Sequence, residues 1–320
     1  MLKKVLTNVL LLAILLVIVE VTAFCIASSN KDNWVNKQTF SQKVAENFKE
    51  YFKTPDTFEQ EVEVLEHLMR KPQGENFLKR PIVITGCSIA HGVQLKDDET
   101  FGHILSVQTQ RPVYNNAFWG WGLQQTLRMM QNGKFYERIN GNPEYLFYVC
   151  IYNHRLRQYF YQDFFYNSRM YVRYKIGKNG DLVYVTPKNF PFVYRFYTTK
   201  LLQKFIQDKK MANKSATSRL FLKTIEAVNS DMKKHFPDCK MVVLLYSDEQ
   251  KDEDNTVSPT ENFFSPAEQK ELSKNDILII NMEQICGKSF KNNEYHMDRY
   301  HPNAKFWGEV VPELKKQLSL

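Results

Sequence analysis

The segment Pro81-Ile-Val-Ile-Thr-Gly-Cys-Ser-Ile-Ala-His-Gly92 places a serine directly after a short apolar run. The β-branched residues that follow Pro81 are typical of a buried strand with proline at its first position. Gly86 ends this run, and Ser88 falls in the turn that follows. Open α/β sheets bind ligands at the carboxyl ends of their strands, and the backbone N–H groups of such a turn can hold an anion. The segment therefore predicts a nucleophilic serine, whereas a turn without chemistry is the alternative.

A second segment near the C-terminus, Asp298-Arg-Tyr-His301-Pro302, carries groups that could activate this serine. A serine hydroxyl needs a base within hydrogen-bond reach, and the base needs a third group that fixes its tautomer. Asp298 and His301 lie within one turn, and Pro302 favours the start of a helix, which we predict over residues 304–318. The alternative is that Asp298 or His301 is an ordinary helix cap, which would leave their pairing unexplained.

Four short blocks contain the glycine, serine, asparagine and histidine residues that stand out in the chain. They are Gly86-Cys87-Ser88 with Gly92, Val113-Tyr-Asn-Asn-Ala-Phe-Trp-Gly120, Tyr145-Leu-Phe-Tyr-Val-Cys-Ile-Tyr-Asn153 and Asp298-Arg-Tyr-His301-Pro302. In this order they resemble the blocks of the SGNH or GDSL-type esterases and acyl-transfer enzymes, over about residues 81–320. The resemblance implies that Ser88 is the nucleophile, His301 the base and Asp298 the residue that orients the base. It also implies an oxyanion hole made by the backbone N–H groups of Ser88 and Gly120 and by the side chain of Asn153.

Two positions depart from the pattern of that family. Cys87 stands beside the serine where an aspartate is common, and His154 stands where the third block usually has an aspartate. Cys87 raises the rival hypothesis that the thiol is the nucleophile, but the register of the first block favours Ser88. The chain has five cysteines, and their spacing matches no metal or disulfide framework, although a Cys239–Cys286 bridge stays open.

Apolar runs and helical segments alternate through the chain and predict a parallel sheet. We predict strands over residues 81–85, 112–115, 145–152, 240–246 and 276–282, and helices over 100–108, 124–132, 192–208, 216–236 and 266–272. The expected fold class is a three-layer α/β/α domain with a mostly parallel five-stranded sheet of the flavodoxin-like type. Residues 155–238 resemble an insertion, with a hairpin at Asn179-Gly180, that forms either a lid over the site or a satellite core. Trp119 and Trp121 either belong to the core or line the substrate mouth.

The first 28 residues combine a basic start, Lys3 and Lys4, with a mostly apolar run over residues 5–27. A cleaved signal peptide and an uncleaved signal anchor, a transmembrane helix, both fit this run, although Glu20 interrupts it. In either case the basic start predicts an extracytoplasmic body. Residues 29–78 are polar with helical patches and predict a stalk or linker, or else a packed extension of the hydrolase domain at 79–320.

Composition and charge narrow the function classes. Of 320 residues, 43% are hydrophobic and 14% aromatic, which is ample for a packed core. The net charge of +8 is spread along the chain and fits either a solvated surface or attraction to anionic envelope polymers. No nucleic-acid-binding motif is present, and the chemistry needs neither a metal nor an organic cofactor.

By its resemblance, the chain is expected to be a membrane-anchored, extracytoplasmic serine esterase that removes acetyl groups from envelope or capsule glycans. Three alternatives stay open. An O-acyltransferase would pass the acyl group to a sugar hydroxyl instead of to water, and a lipid-ester hydrolase would suit the aromatic insertion. A non-catalytic glycan-binding protein would account for the departures at Cys87 and His154.

Overall fold

The computed structural model describes residues 15–22, 69–151, 154–155, 158, 172–185, 214–246, 263–290, 293–297 and 301–320. The chain divides into two units, of which the second comprises Glu59–Gln158, Val172–Val185 and Ser215–Leu320 and contains the predicted catalytic blocks. In the first unit, residues 15–22 are helical. No helix within the described ranges is both long and apolar enough to cross a membrane. The predicted helix over 192–208 lies outside the described residues.

The second unit is built on a parallel sheet of five strands. These are β1 (Ile82–Gly86), β2 (Val113–Asn115), β3 (Tyr145–Cys150), β6 (Lys240–Leu245) and β7 (Ile277–Asn281), while β4 (Tyr174–Ile176) and β5 (Leu182–Tyr184) pair as a separate antiparallel hairpin. The order across the sheet is β2-β1-β3-β6-β7. Among the parallel strands this is the flavodoxin-like order, whose direction of winding reverses between β1 and β3. The predicted sheet, its parallel pairing and the hairpin at Asn179-Gly180 are confirmed.

Helices connect the strands at the positions that turn and capping residues mark. They are α1 (Ser88–His91), α2 (Phe101–Thr109), α3 (Leu123–Gln131), α4 (Lys134–Glu137), α5 (Lys214–His235), α6 (Pro266–Lys274), α7 (Met282–Cys286) and α8 (Ala304–Leu318). The side chains of Thr100, Ser265 and Asn303 accept backbone N–H groups in the first turns of α2, α6 and α8. Such caps satisfy donors that a helix leaves without partners, so they fix where these helices begin.

The two faces of the sheet bury their side chains against different helices. Ile84 of β1 belongs to a core that includes Phe101 of α2 and Trp307 of α8, whose rings stack at 4.5 Å. On the opposite face, the hydroxyl oxygens of Thr85 in β1 and Thr126 in α3 lie 2.6 Å apart in a buried hydrogen bond. Helices therefore cover both faces, which is the predicted three-layer arrangement. Burial on both sides also explains why the strands are nearly continuous apolar runs.

Residues 69–78, predicted to belong to the linker, are packed onto the domain. Gln73 and Val113 exchange backbone hydrogen bonds of 3.0 and 2.9 Å at the edge of the sheet. The guanidinium of Arg70 donates to three backbone carbonyls just after Ser88 and to one carboxylate, namely those of His91 (3.2 Å), Gly92 (2.6 Å), Leu95 (2.8 Å) and Asp97. These bonds hold Gln73 at the edge of the sheet and Arg70 against the segment that follows Ser88.

Replacing Arg70 by alanine is expected to lower the free energy of unfolding by about 2–3 kcal/mol, because charge-assisted hydrogen bonds to three carbonyls are lost. The ion pair adds little to this figure, since the Asp97 side chain is mostly exposed. Urea unfolding of the full-length chain measures the change. The neighbouring, exposed Lys71 provides the matched control, and Lys71→Ala is expected to stay within about 0.5 kcal/mol of the parent chain. Equal stability of the Arg70→Ala and Lys71→Ala variants would contradict the prediction.

Candidate active site

Ser88 lies at the carboxyl end of β1, where the sheet reverses its winding and open α/β folds bind ligands. It is the first residue of α1, so its backbone N–H has no acceptor within the helix. Gly86 makes the turn before it with φ of +144°. A Cβ atom at Gly86 would lie 2.8 Å from the carbonyl oxygen of Val149 and 3.0 Å from the Cβ of Ala90. Glycine is therefore required for the serine turn to pack this closely against β3.

His301 meets Ser88 from the other end of the chain, 213 residues away. The distance from His301 Nε2 to Ser88 Oγ is 3.0 Å, which is a hydrogen bond between the two side chains. The backbone carbonyl of His301 accepts from Met297 N–H at 2.8 Å, and Asn303 N–H donates to the Tyr295 carbonyl at 2.9 Å. These bonds join residues 295–297 to His301 and Asn303 immediately before α8. They fix the backbone of His301, and an imidazole Nε2 that carries no proton can accept the serine proton.

Gly120 follows β2 in a loop that is bonded to the serine turn. Its φ of +70° lies in the left-handed region that favours glycine. Phe118 N–H donates to the carbonyl of Gly86 at 3.3 Å. The side chain of Asn115 donates to the Ala90 carbonyl at 2.8 Å and accepts from Ala117 N–H at 3.0 Å. The second block is therefore attached to the first at several points, as an oxyanion hole built from both would require.

Asn153 and Asp298, the two other predicted site residues, lie outside the described residues, and their roles stay predictions. The two residues that follow Asn153 make contacts with the sheet and with α6. His154 is fully buried, and its Nδ1 lies 2.7 Å from the hydroxyl of Tyr148 on β3. Arg155 forms an ion pair with Glu268 of α6 at 3.4 Å. The departure at His154 therefore has a structural explanation: its ring anchors the chain to the sheet directly after Asn153.

The structure describes four of the five cysteines, all as free thiols. Cys87 is completely buried and belongs to the apolar core beneath the serine turn, whereas Ser88 is half-buried and bonded to His301. Cys239 and Cys286 are free thiols, so the bridge considered between them is not formed. Burial raises the pKa of the Cys239 thiol to about 12, which keeps it protonated at neutral pH. Among the described residues, no group of three or more His, Cys, Asp and Glu residues could hold a metal ion.

Replacing Cys87 by alanine is expected to leave kcat/KM for p-nitrophenyl acetate within about threefold, because the thiol is completely buried in the core. The free energy of unfolding should fall by about 1 kcal/mol, the typical cost of a small core truncation. Steady-state kinetics and urea unfolding of the same preparation separate the two effects. A loss of activity without any loss of stability would return Cys87 to consideration as the nucleophile.

The two tryptophans beside Gly120 have different environments. Trp121 is 1% exposed and packs on Phe118, with ring centroids 5.5 Å apart, so it belongs to the core. Trp119 is half-buried, and its indole N–H donates to His91 Nδ1 at 3.0 Å. Of the two alternatives left open for this pair, Trp121 takes the core position, and a place at the substrate mouth stays a prediction for Trp119.

Sequence patterns did not identify two side chains that brace the serine turn, Arg70 and His91. Arg70 lies in a polar segment without a motif, and His91 is one residue of the first block that carried no assigned role. Both act through contacts with residues distant in the chain, namely backbone carbonyls and the Trp119 indole. A single sequence carries no periodic signal for such contacts.

No protein-family model matches the chain, and no curated protein matches it significantly. Solved structures do match. A carbohydrate esterase family 2 enzyme plus carbohydrate-binding domain from Corynascus thermopiles (Myceliophthora fergusii) is 14% identical with a TM-score of 0.44; the match covers 75% of this chain and 66% of that one, just under two thirds. A lipolytic protein of the G-D-S-L family from Veillonella parvula is 12% identical with a TM-score of 0.42, covering 75% and 99%. The psychrotrophic esterase EstA from Pseudoalteromonas sp. is 13% identical with a TM-score of 0.40, covering 76% and 100%.

Proposed function

We propose that the protein is a serine esterase in which Ser88 attacks the carbonyl carbon of an ester while His301 takes the serine proton. The 3.0 Å hydrogen bond between His301 Nε2 and Ser88 Oγ is the observation that supports this most directly. Formation of the new C–O bond pushes the carbonyl electron pair onto oxygen. When this electron pair re-forms the carbonyl, the ester C–O bond breaks, and the departing alkoxide takes the proton from His301. Water then attacks the acyl-enzyme, gives a proton to His301 and releases the acid, and that proton returns to Ser88.

Each tetrahedral intermediate carries an oxyanion. Its proposed hydrogen-bond donors are the backbone N–H groups of Ser88 and Gly120 and the side chain of Asn153. Preorganised donors at this place are worth about 3–4 kcal/mol each when removed one at a time. Asp298 is assigned to the Nδ1 side of His301, where a carboxylate fixes the tautomer and stabilises the imidazolium. The bonds from Phe118 and Asn115 to the serine turn support the joint role of the first two blocks.

The proposed substrate is an O-acetyl group on an envelope or capsule glycan. The proposed location of the enzyme is the outer face of a membrane, where its N-terminal helix anchors it. The net charge of +8 favours encounter with anionic polymers and with membrane surfaces. Lys3 and Lys4 before the apolar run favour an extracytoplasmic body. The half-buried Trp119, close in sequence to Gly120, offers an aromatic face to a sugar ring.

The test is hydrolysis by the full-length chain in detergent, with p-nitrophenyl acetate, butyrate and decanoate as substrates and an O-acetylated polysaccharide as acetate donor. We expect the acetyl ester to be cleaved fastest and acetate to be released from the polysaccharide. A fluorophosphonate should label the protein at Ser88, as peptide mass spectrometry can show. Absence of both hydrolysis and labelling would overturn the esterase proposal.

An acyl acceptor distinguishes hydrolysis from transfer at the same site. In the proposed esterase, adding a sugar acceptor leaves the rate of acetate release unchanged and produces no acylated sugar. An acylated sugar formed at the expense of acetate would replace the hydrolase with an O-acyltransferase that uses the same serine. Cleavage of the decanoyl ester in preference to the acetyl ester would instead assign a lipid-ester substrate.

A further inference from the structure

His91 links the serine helix to the loop that carries Gly120. It lies three residues after Ser88, one turn further along α1, and only 4% of its surface is exposed. Its Nδ1 lies 3.0 Å from the indole Nε1 of Trp119, the residue before Gly120. The bond therefore joins two segments that follow different strands of the sheet.

The chemistry of this bond fixes the state of His91. An indole N–H only donates, so Nδ1 of His91 must be the acceptor and cannot carry a proton. A neutral imidazole with Nδ1 as acceptor carries its proton on Nε2. The His91 ring also makes T-shaped contacts with the rings of Phe118 and Trp119. Its centroid lies 5.8 Å from each of theirs, and the ring planes are nearly perpendicular. His91 is therefore fixed in both tautomer and orientation.

Trp119 transmits this constraint to the backbone of Gly120. Its ring stacks on Phe118 at 5.8 Å with 15° between the planes, and Phe118 N–H is bonded to Gly86. On the other side of Gly120, Trp121 is buried in the core. The peptide group of Gly120 thus lies between two anchored indoles, and the anchor of the first is the ring of His91.

Two donors on different loops have to point at one oxyanion, and such a constellation tolerates errors of only about 0.5 Å. We propose that His91 is a positioning residue: by accepting the Trp119 indole N–H, it sets the Gly120 N–H relative to Ser88. The inference rests on the proposed esterase function and on the assignment of Gly120 to the oxyanion hole. It gives the His91 ring and the Trp119 indole N–H a shared part in the reaction, which is to set the distance between the two oxyanion donors.

Three variants test the bond. His91→Leu removes the acceptor, Trp119→Phe removes the donor but keeps an aromatic ring, and His91→Asn keeps an acceptor oxygen near the place of Nδ1. We expect His91→Leu and Trp119→Phe each to lower kcat for p-nitrophenyl acetate by about 10- to 100-fold, since a misplacement of 1 Å costs about 100-fold. His91→Asn should stay within about threefold of the parent chain. Combining His91→Leu with Trp119→Phe should cost no more than the worse of the two single changes.

A transition-state analogue separates positioning from general damage to the fold. Trifluoroacetone forms a tetrahedral adduct on a catalytic serine, and its oxyanion occupies the same hole. Its inhibition constant should rise by the same factor by which kcat/KM falls in His91→Leu and Trp119→Phe, while KM stays within about twofold. Loss of folded protein would lower the apparent kcat without changing the affinity of the remaining sites, so it would give a different pattern.

The matched control is His103 of α2, whose Nδ1 lies 3.1 Å from the side-chain oxygen of Gln73. His103→Leu breaks a histidine hydrogen bond away from both oxyanion segments and should leave kcat and the trifluoroacetone affinity unchanged. Parent-like kcat in Trp119→Phe, or equal impairment of His91→Asn and His91→Leu, would overturn the positioning role. The Ser88→Ala variant separates this inference from the esterase proposal. If Ser88→Ala is inactive, either result removes only the positioning role; if Ser88→Ala is active, the esterase proposal itself fails.

Discussion

Replacing Ser88 by alanine is expected to lower kcat/KM for p-nitrophenyl acetate by roughly 10⁴- to 10⁶-fold, because the attacking oxygen is removed. Labelling by a fluorophosphonate should disappear together with hydrolysis. The free energy of unfolding should change by less than about 1 kcal/mol, since Ser88 is small and half-buried. Activity is measured under steady-state conditions, and unfolding in urea confirms that the variant is folded.

The neighbouring variant Cys87→Ala serves as the control for the Ser88→Ala experiment. Both changes fall in the same turn and remove one side-chain heteroatom, but the Ser88 hydroxyl is bonded to His301 and the Cys87 thiol is buried in the core. Activity that survives Ser88→Ala and is lost in Cys87→Ala would assign the nucleophile to the thiol. Activity that survives both changes would remove any mechanism based on this turn.

The architecture of the second unit could be predicted because its central strands β1, β3 and β6 are buried on both faces. β3 and β6 are apolar runs, and each is followed or preceded by a helix with a recognisable cap or breaker. The predicted helix at 304–318 has the observed bounds, Ala304–Leu318, since Asn303 and Pro302 mark its start. The short helices α4 and α7 were not predicted, because four or five residues are too few to show a helical period.

The pairing of Ser88 with His301 could also be predicted, although 213 residues separate them. Each lies in a turn with its own local signals, glycine for the first and proline for the second. The parallel sheet then brings strand ends to one edge. The contacts that brace the serine turn could not be predicted, because Arg70 and His91 act on backbone carbonyls and on an indole that are distant from them in the chain or carry no sequence pattern.

Cys87 and His154, the two positions that depart from the resemblance, both have structural surroundings. Cys87 fills a fully buried position in the core, and His154 bonds to Tyr148 while remaining inaccessible. Both side chains therefore have structural contacts of their own, and His301 Nε2 and Ser88 Oγ lie within hydrogen-bond distance. The contacts of a side chain show whether it has a structural role. Cys87 packs in the apolar core, and His154 is bonded to Tyr148 of β3.

Replacing His301 by alanine is expected to reduce kcat/KM about as much as the loss of Ser88, because a serine hydroxyl without its base is a poor nucleophile. The variant leaves the turn intact, since His301 contributes its backbone carbonyl to the bond from Met297. His235, exposed at the end of α5, gives the matched control, and His235→Ala should keep parent-like kinetics. Parent-like kinetics in His301→Ala would contradict the assignment of the base.

The double variant Ser88→Ala/His301→Ala carries the sharper test, because residues that act as one unit are not additive. Once the hydroxyl is gone, the base has no proton to take, so the double variant should be within about threefold of either single variant. Stopped assays with high enzyme concentration can measure the residual rate in all three. Losses that multiply would mean that Ser88 and His301 act in separate steps. The 3.0 Å contact between Nε2 and Oγ would then be a structural hydrogen bond at the edge of the sheet and not a nucleophile bonded to its base.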